Sequence, residues 1–157
     1  RGTRTFGSKI DDSLIETKAA VNIAKASPDL DENSHIVVTS YNGIVLLAGQ
    51  TPRADLKALA EKEASAVQRV KKVNNELQVI APSSLLARNN DAWLTTKIKS
   101  QMLTDSAIPG SRIKVVTENG IVYLLGLVTQ QEATRATNLV QGVSGVQKIV
   151  KLFEYID

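Results

Sequence analysis

The 157-residue chain has one histidine, His35, and no cysteine, and this bounds its chemistry. Thiol nucleophiles, disulfides, cysteine-based zinc sites and His-rich metal cages are excluded, and a Ser-His-Asp triad could form only around His35. His35 stands just before a β-branched run and reads as a solvated or hydrogen-bonded edge residue. Asp29, Asp31 and Glu32 could hold a cation loosely, but they lack the spacing of an EF-hand and read as a solvated loop. Lys57, Lys62, Arg69, Lys71 and Lys72 form a basic run broken by Glu61 and Glu63. With no interleaved aromatics it is a poor nucleic-acid platform and reads as a solvated helix face. Nothing supplies a positioned nucleophile and base, so the expectation is no catalytic residue, no metal, no cofactor and no nucleic-acid partner.

What remains is a recognition surface around the only tryptophan, Trp93. Asp91 to Thr104 carries apolar residues at helical spacing, and about 100° per residue puts Leu94, Ile98 and Met102 on one face. Trp93, Thr96, Ser100 and Leu103 fall on roughly the opposite face, with Lys97 beside the tryptophan and Lys99 on the other flank. An outward indole flanked by lysines suits an anionic membrane surface, where the ring sits at headgroup level and each lysine contributes about 1 kcal/mol.

The elements that position this helix occur twice. Ile36 to Gly49, IVVTSYNGIVLLAG, aligns without a gap on Ile113 to Gly126, IKVVTENGIVYLLG. Upstream, Asp12, Thr17 and Lys18 fall on Asp91, Thr96 and Lys97; downstream, VQRVKKV from Val67 falls on VSGVQKI from Val143. Asn42-Gly43 and Asn119-Gly120 lie between β-branched runs, the pattern of a hairpin with a type I′ turn, so they are turn chemistry and not phosphate cradles. Helices are predicted before each hairpin, with Asp12 and Asp91 as N-caps and with Ile15, Ala19, Ile23 or Leu94, Ile98, Met102 as the inward face. Further helices are predicted over Ala54 to Val67 and Gln130 to Gln141, and closing strands over Val70 to Ile80 and Val146 to Ile156. The predicted class is α+β, two tandem αββαβ domains, each a three-stranded mixed sheet packed against two helices. The boundaries are a tail at 1–10, domains at 11–80 and 91–157, and a linker at 81–90 whose Leu85 and Leu86 are expected to pack against something.

The hairpin pattern (I)xVxxxNGxVxLxG, its glycines Gly43, Gly49, Gly120 and Gly126, and the Gly142-Val143 and Gly145-Val146 pairs resemble the BON domain, a bacterial periplasmic module. The resemblance covers nearly all of Asp11 to Ile156. NDAWLTTKIKSQML and VTENGIVYLLGLVT are similar to the second domain of Gram-negative outer-membrane lipoproteins that carry two such domains. The resemblance implies a signal peptide and lipidated cysteine ahead of the first domain, a place in the periplasm at the outer membrane, and binding of anionic phospholipid, phosphatidylglycerol first, through the second domain. It also implies roles in barrier integrity and at division sites. Repeat one departs from the pattern, with Gln68-Arg69 where repeat two has Ser144-Gly145, so its last connection is expected to differ.

Charge separates the copies: Ile10 to Ala81 carries ten acids and eight bases, Ser83 to Asp157 six acids and eight bases, and the tail adds three bases. The basic excess therefore lies with the second copy and the tail. Trp93, Thr96, Lys97, Lys99, Ser100 and Leu103 are the candidate phospholipid-binding residues. The competing reading puts Trp93 in a seam between the domains or over its own core, and an alternative function is an adaptor or chaperone-like protein binding other envelope proteins through sheet edges or helix faces.

Overall fold

A computed structural model describes residues 3–157, and the chain forms two compact units, Arg4–Ser83 and Ser84–Asp157, with Thr3 grouped with the second. The first contains α1 (Phe6–Ala26), α2 (Pro28–Glu32), β1 (His35–Tyr41), β2 (Ile44–Thr51), α3 (Ala54–Ser65), β3 (Lys72–Asn75) and β4 (Gln78–Val79). The second contains α4 (Leu85–Leu103), a 3-10 turn (Gly110–Arg112), β5 (Ile113–Glu118), β6 (Ile121–Val128), α5 (Gln130–Gln141) and β7 (Lys148–Tyr155). The α+β class is as the sequence predicts, and so are the αββαβ order and three-stranded sheet of the second unit; the first unit adds the short α2 and, because its closing strand is split, has a four-stranded sheet.

In each unit the hairpin is antiparallel and the closing strand runs parallel to the hairpin's second strand. Both hairpin turns have positive φ at both central residues, 53° and 79° at Asn42 and Gly43, 55° and 78° at Asn119 and Gly120, the requirement of the type I′ turn. Gly49 and Gly126 sit opposite Ile36 and Ile113 at φ of 119° and 154°. A Cβ there would collide with the His35 or Arg112 carbonyl oxygen, so only glycine lets the strands close.

Both helices and one sheet face build each core. Ile15, Ala19 and Ile23 of α1 meet Val45, Leu47, Leu56 and Ala60 in the first unit. Leu94, Ile98 and Met102 of α4 meet Val122, Leu124, Ala133 and Ala136 in the second.

Several local expectations are overturned. Asp12 and Asp91 are not N-caps. Thr5 caps α1, its hydroxyl accepting the Ser8 N–H at 3.0 Å, and Ser84 caps α4, accepting the Ala87 N–H at 3.1 Å. Helix therefore occupies residues 6–10 of the expected tail and 85–90 of the expected linker. Leu85 and Leu86 are not packed away but project from the first turn of α4. Asp29, Asp31 and Glu32 belong to or close the short helix α2, whose Pro28 is at its first turn and whose Ser27 hydroxyl accepts the Asp29 N–H.

The last connection of repeat one is also the same as that of repeat two. Arg69 adopts φ of 73° where Gly145 adopts 99°. Val70 N–H donates to the Val67 carbonyl at 3.3 Å, as Val146 does to Val143 at 3.4 Å. Lys71 N–H then reaches the Gly43 carbonyl at 2.9 Å, as Gln147 N–H reaches Gly120 at 2.8 Å. The copies diverge one step later: β7 is one strand of eight residues, whereas its counterpart is split into β3 and β4 around Glu76 and Leu77.

Candidate functional site

The candidate residues share α4, and a buried carboxylate sets how that helix is turned. Asp91 lies in the middle of α4, 3% exposed, and accepts the backbone N–H groups of Asn119 at 2.7 Å and Gly120 at 2.9 Å. One side chain on the helix thus ties off the hairpin turn, whose N–H groups point away from any strand partner. Leu94, Ile98 and Met102 follow at helical spacing and are buried. With Asp91 and these three facing inward, a residue two positions after Asp91, about 200° around the helix, must face outward.

That residue is Trp93, 63% exposed. Thr96, Ser100, Lys99 and Leu103 are exposed as well, and Lys97 is half-buried beside the stripe. The helix brings all six candidates onto one outward surface and its flanks. Thr96 already donates its hydroxyl to the Ala92 carbonyl at 3.0 Å, leaving its lone pairs outward. Among the described residues Lys97 and Lys99 make no ion pair. Within the second unit Trp93 does not cover its own core.

Leu85 and Leu86, 76% and 80% exposed, and Leu103, 79% exposed, lie along the same surface. The expectation of a packed linker leaves these two leucines out of the candidate surface. A signal was present: Leu86, Trp93 and Ser100 are spaced by seven, the repeat of one helical face.

The first unit repeats the clamp with additions. Asp12 accepts Asn42 N–H at 2.7 Å and Gly43 N–H at 2.9 Å, and also the Ser40 hydroxyl at 2.7 Å and an Arg4 guanidinium N–H at 2.9 Å. Burial pushes the Asp12 carboxyl up, but the donors from Gly43, Ser40, Arg4 and Asn42 together outweigh it and hold its pKa below the ordinary value. Arg4 also lies over the Tyr41 ring, 4.0 Å from its centroid.

The outer surfaces of the paired helices differ in charge. On α1, Phe6, Ile10, Leu14 and Val21 are exposed, but Asp11 and Glu16 lie among them, engaged with Arg69 and the Ser40 N–H. At the Glu16 position α4 has Thr95, which donates to the Thr117 hydroxyl at 2.8 Å. Replacing an acid by a neutral hydroxyl leaves Asp91, buried, as the only carboxylate on α4. Among the described residues no three acidic or histidine side chains gather in a way that could hold a metal ion, and no helix is long and apolar enough to cross a membrane.

A family model described as the BON domain matches residues 11–81 and again 90–157. The chain belongs to the BON-domain family. Its two BON domains coincide with the two copies of the clamp-and-hairpin unit. It is 40% identical to the outer membrane lipoprotein DolP of Haemophilus influenzae, over 98% of this chain and 79% of that protein. It is 34% identical to the 21 kDa hemolysin of Actinobacillus pleuropneumoniae, over 98% of this chain and 78% of the other. It is 30% identical to the osmotically-inducible protein Y of Escherichia coli, over 91% and 72%. The chain is a dual-BON, DolP-like protein of the periplasm and outer membrane.

Proposed function

We propose that this dual-BON protein is a non-enzymatic module of the cell envelope whose second domain docks on anionic phospholipid, phosphatidylglycerol first, and that it thereby supports outer-membrane integrity and localises to division sites. The observation that carries this reading is the exposed Trp93 on a helix surface that has two unpaired lysines and no exposed acid. In this mechanism α4 lies along the membrane surface. Trp93 and Leu103, together with Leu85 and Leu86, enter the headgroup region, Lys97 and Lys99 pair with phosphates, the Ser100 hydroxyl donates to a headgroup oxygen, and Thr96 Oγ1, its proton held by Ala92, accepts from a headgroup hydroxyl.

The test uses the fact that the chain has a single tryptophan. Added phosphatidylglycerol vesicles should shift Trp93 emission to the blue, and a bromine-labelled lipid should quench it. Lys97→Glu removes one attraction and adds one repulsion, about 2 kcal/mol in all, so partitioning should fall by about thirtyfold. Trp93→Ala, followed by vesicle sedimentation, should also weaken binding, whereas Leu14→Ala and Lys18→Glu on α1 should leave it unchanged. Sedimentation that is indifferent to both α4 changes rules the site out.

A further inference from the structure

We propose that Asn119 is a site of spontaneous deamidation, gated by the Asp91 clamp, and that its conversion to aspartate or isoaspartate frees the hairpin turn from α4. In an Asn-Gly pair the second residue has no side chain to shield its backbone nitrogen from the asparagine amide. Once hydroxide has taken the proton of the Gly120 N–H, the nitrogen attacks Asn119 Cγ. The new N–C bond closes a cyclic imide, the Cγ–Nδ2 bond breaks, and the amide nitrogen leaves as ammonia with a proton from water. Water then opens the imide at either carbonyl, leaving aspartate or isoaspartate.

The clamp holds this reaction off. Gly120 is buried and its N–H donates to Asp91 at 2.9 Å, so removing that proton sets a second negative charge against a carboxylate away from water. The neighbouring Asn119 N–H is bound to the same carboxylate at 2.7 Å, which fixes the turn with Asn119 at φ of 55°. Cyclisation therefore waits for the turn to come off Asp91, and its rate follows the fraction of time the clamp is open.

The duplicated turn shows which asparagine is open to this chemistry. Asn42-Gly43 has the same backbone and the same clamp, but Asn42 is half-buried and its amide oxygen accepts the Ser8 hydroxyl at 3.3 Å. Asp12 is further held by Ser40 at 2.7 Å and Arg4 at 2.9 Å. Asn119 is exposed, and where α1 has Ser8, α4 has Ala87, which carries no hydroxyl. Among the described residues the Asn119 side-chain amide has no hydrogen-bond partner, and Asp91 is held by the two turn N–H groups alone. The second turn therefore has the clamp with fewer ties and the unrestrained amide.

Both products act on α4. Aspartate at position 119 brings a second carboxylate to the turn that Asp91 holds, and like charges repel. Isoaspartate lengthens the backbone between the two N–H donors by a methylene, so that they no longer fit one carboxylate. Either loosens the contact that orients Trp93. An effect on docking also rests on the lipid reading above, whereas the site itself does not.

For the test, the full chain is kept in warm, mildly alkaline buffer and sampled over days, and its tryptic peptides are weighed against those of a fresh sample. Replacement of NH2 by OH should accumulate at Asn119 ahead of Asn42, with isoaspartate distinguished from aspartate by electron-transfer fragmentation. Asp91→Ala should speed the change at Asn119 by about tenfold and leave Asn42 as it was. Ala87→Ser, which supplies the hydroxyl of the first domain, should slow it, and Ser8→Ala should bring Asn42 towards the Asn119 rate. Ile98→Val, a core change away from the turn, should leave the Asn119 rate unaltered. Asn42 keeping pace with Asn119, or no change at Asn119 in either the parent or Asp91→Ala, overturns the site. Equal acceleration by Ile98→Val and Asp91→Ala shows that global unfolding exposes the turn and overturns the gate. Should Asp91→Ala not fold, the two serine exchanges decide. The vesicle-induced shift of Trp93 emission in the modified chain is read separately, so a failure of lipid docking leaves the mass result standing.

Discussion

Asp91→Ala tests the most consequential contact in the second domain. The substitution strands two N–H donors, Gly120 in a buried setting and Asn119 at an exposed turn. An unpaired buried donor costs about 1–3 kcal/mol, and the exposed one recovers most of its loss from water. Removing a buried carboxylate returns part of its desolvation cost, leaving a net loss of about 1–2 kcal/mol. For a domain of this size each kcal/mol moves the melting temperature by about 4–8 °C, so the transition of the second domain should fall by about 4–16 °C. Asp91→Asn keeps one acceptor oxygen but turns its NH2 against the other donor, and should fall in between. Circular dichroism of the full chain, with amide exchange at Asn119 and Gly120, makes the measurement. A melting point within about 3 °C of the parent, or turn amides that stay protected in the alanine variant, refutes the clamp and with it the argument for the orientation of Trp93.

Arg69→Gly should stabilise the first domain by about 0.5–1 kcal/mol, because relief of the left-handed backbone at φ of 73° outweighs loss of the exposed Asp11 ion pair; a lower melting temperature counts against it. Asp12, its pKa held below the ordinary value, contributes stability that is present above its unfolded pKa of 3.8 and is lost as pH falls through the folded value. Acid titrations of the parent and Asp12→Asn should therefore differ most above pH 3.8 and converge below it, and parallel curves throughout would show that Asp12 is not responsible. In the second domain the Glu132 carboxyl is likewise held low, by the Thr129 N–H and then by Arg112 against the opposing effect of burial. Glu132→Gln should cost about 0.5–1.5 kcal/mol at neutral pH, read by the same melts.

The inward helix residues and both hairpins were legible because each follows a local rule. Ile15, Ala19 and Ile23, like Leu94, Ile98 and Met102, have the spacing of one helical face, and Asn-Gly fixes a turn by its own backbone preferences. The helix starts were not. In the first turns of α4 the outward Leu85 and Leu86 are as apolar as the core, which blurs the periodicity, and the polar Arg88-Asn89-Asn90 ahead of Asp91 has the composition of a loop. The true partners of Asp91 lie 28 and 29 residues further along the chain, beyond any local pattern. Arg69 misled for a different reason. The rule that a left-handed corner takes glycine is a preference worth about 1–2 kcal/mol, and the first domain accommodates the departure at an exposed site.

The paired copies separate what builds the domain from what it presents to a partner. Both aspartates face the turn, both turns are Asn-Gly, and both strand crossings need glycine at the same register, because each of these contacts closes the sheet onto its helix. Around them the side chains are free to differ: Glu16 against Thr95, Asn75 against Lys151, Leu14 against Trp93. The last exchange is on the exposed helix face, the first is half-buried, the second sets an exposed lysine where a half-buried amide stood, and those two leave the second domain less acidic or more basic. A fold needing only to support itself would gain nothing from that direction of change, since unpaired lysines add little stability. An anionic partner would. The outward surface of α4 is where such a partner would make contact, and the vesicle assays on Trp93 and Lys97 test it.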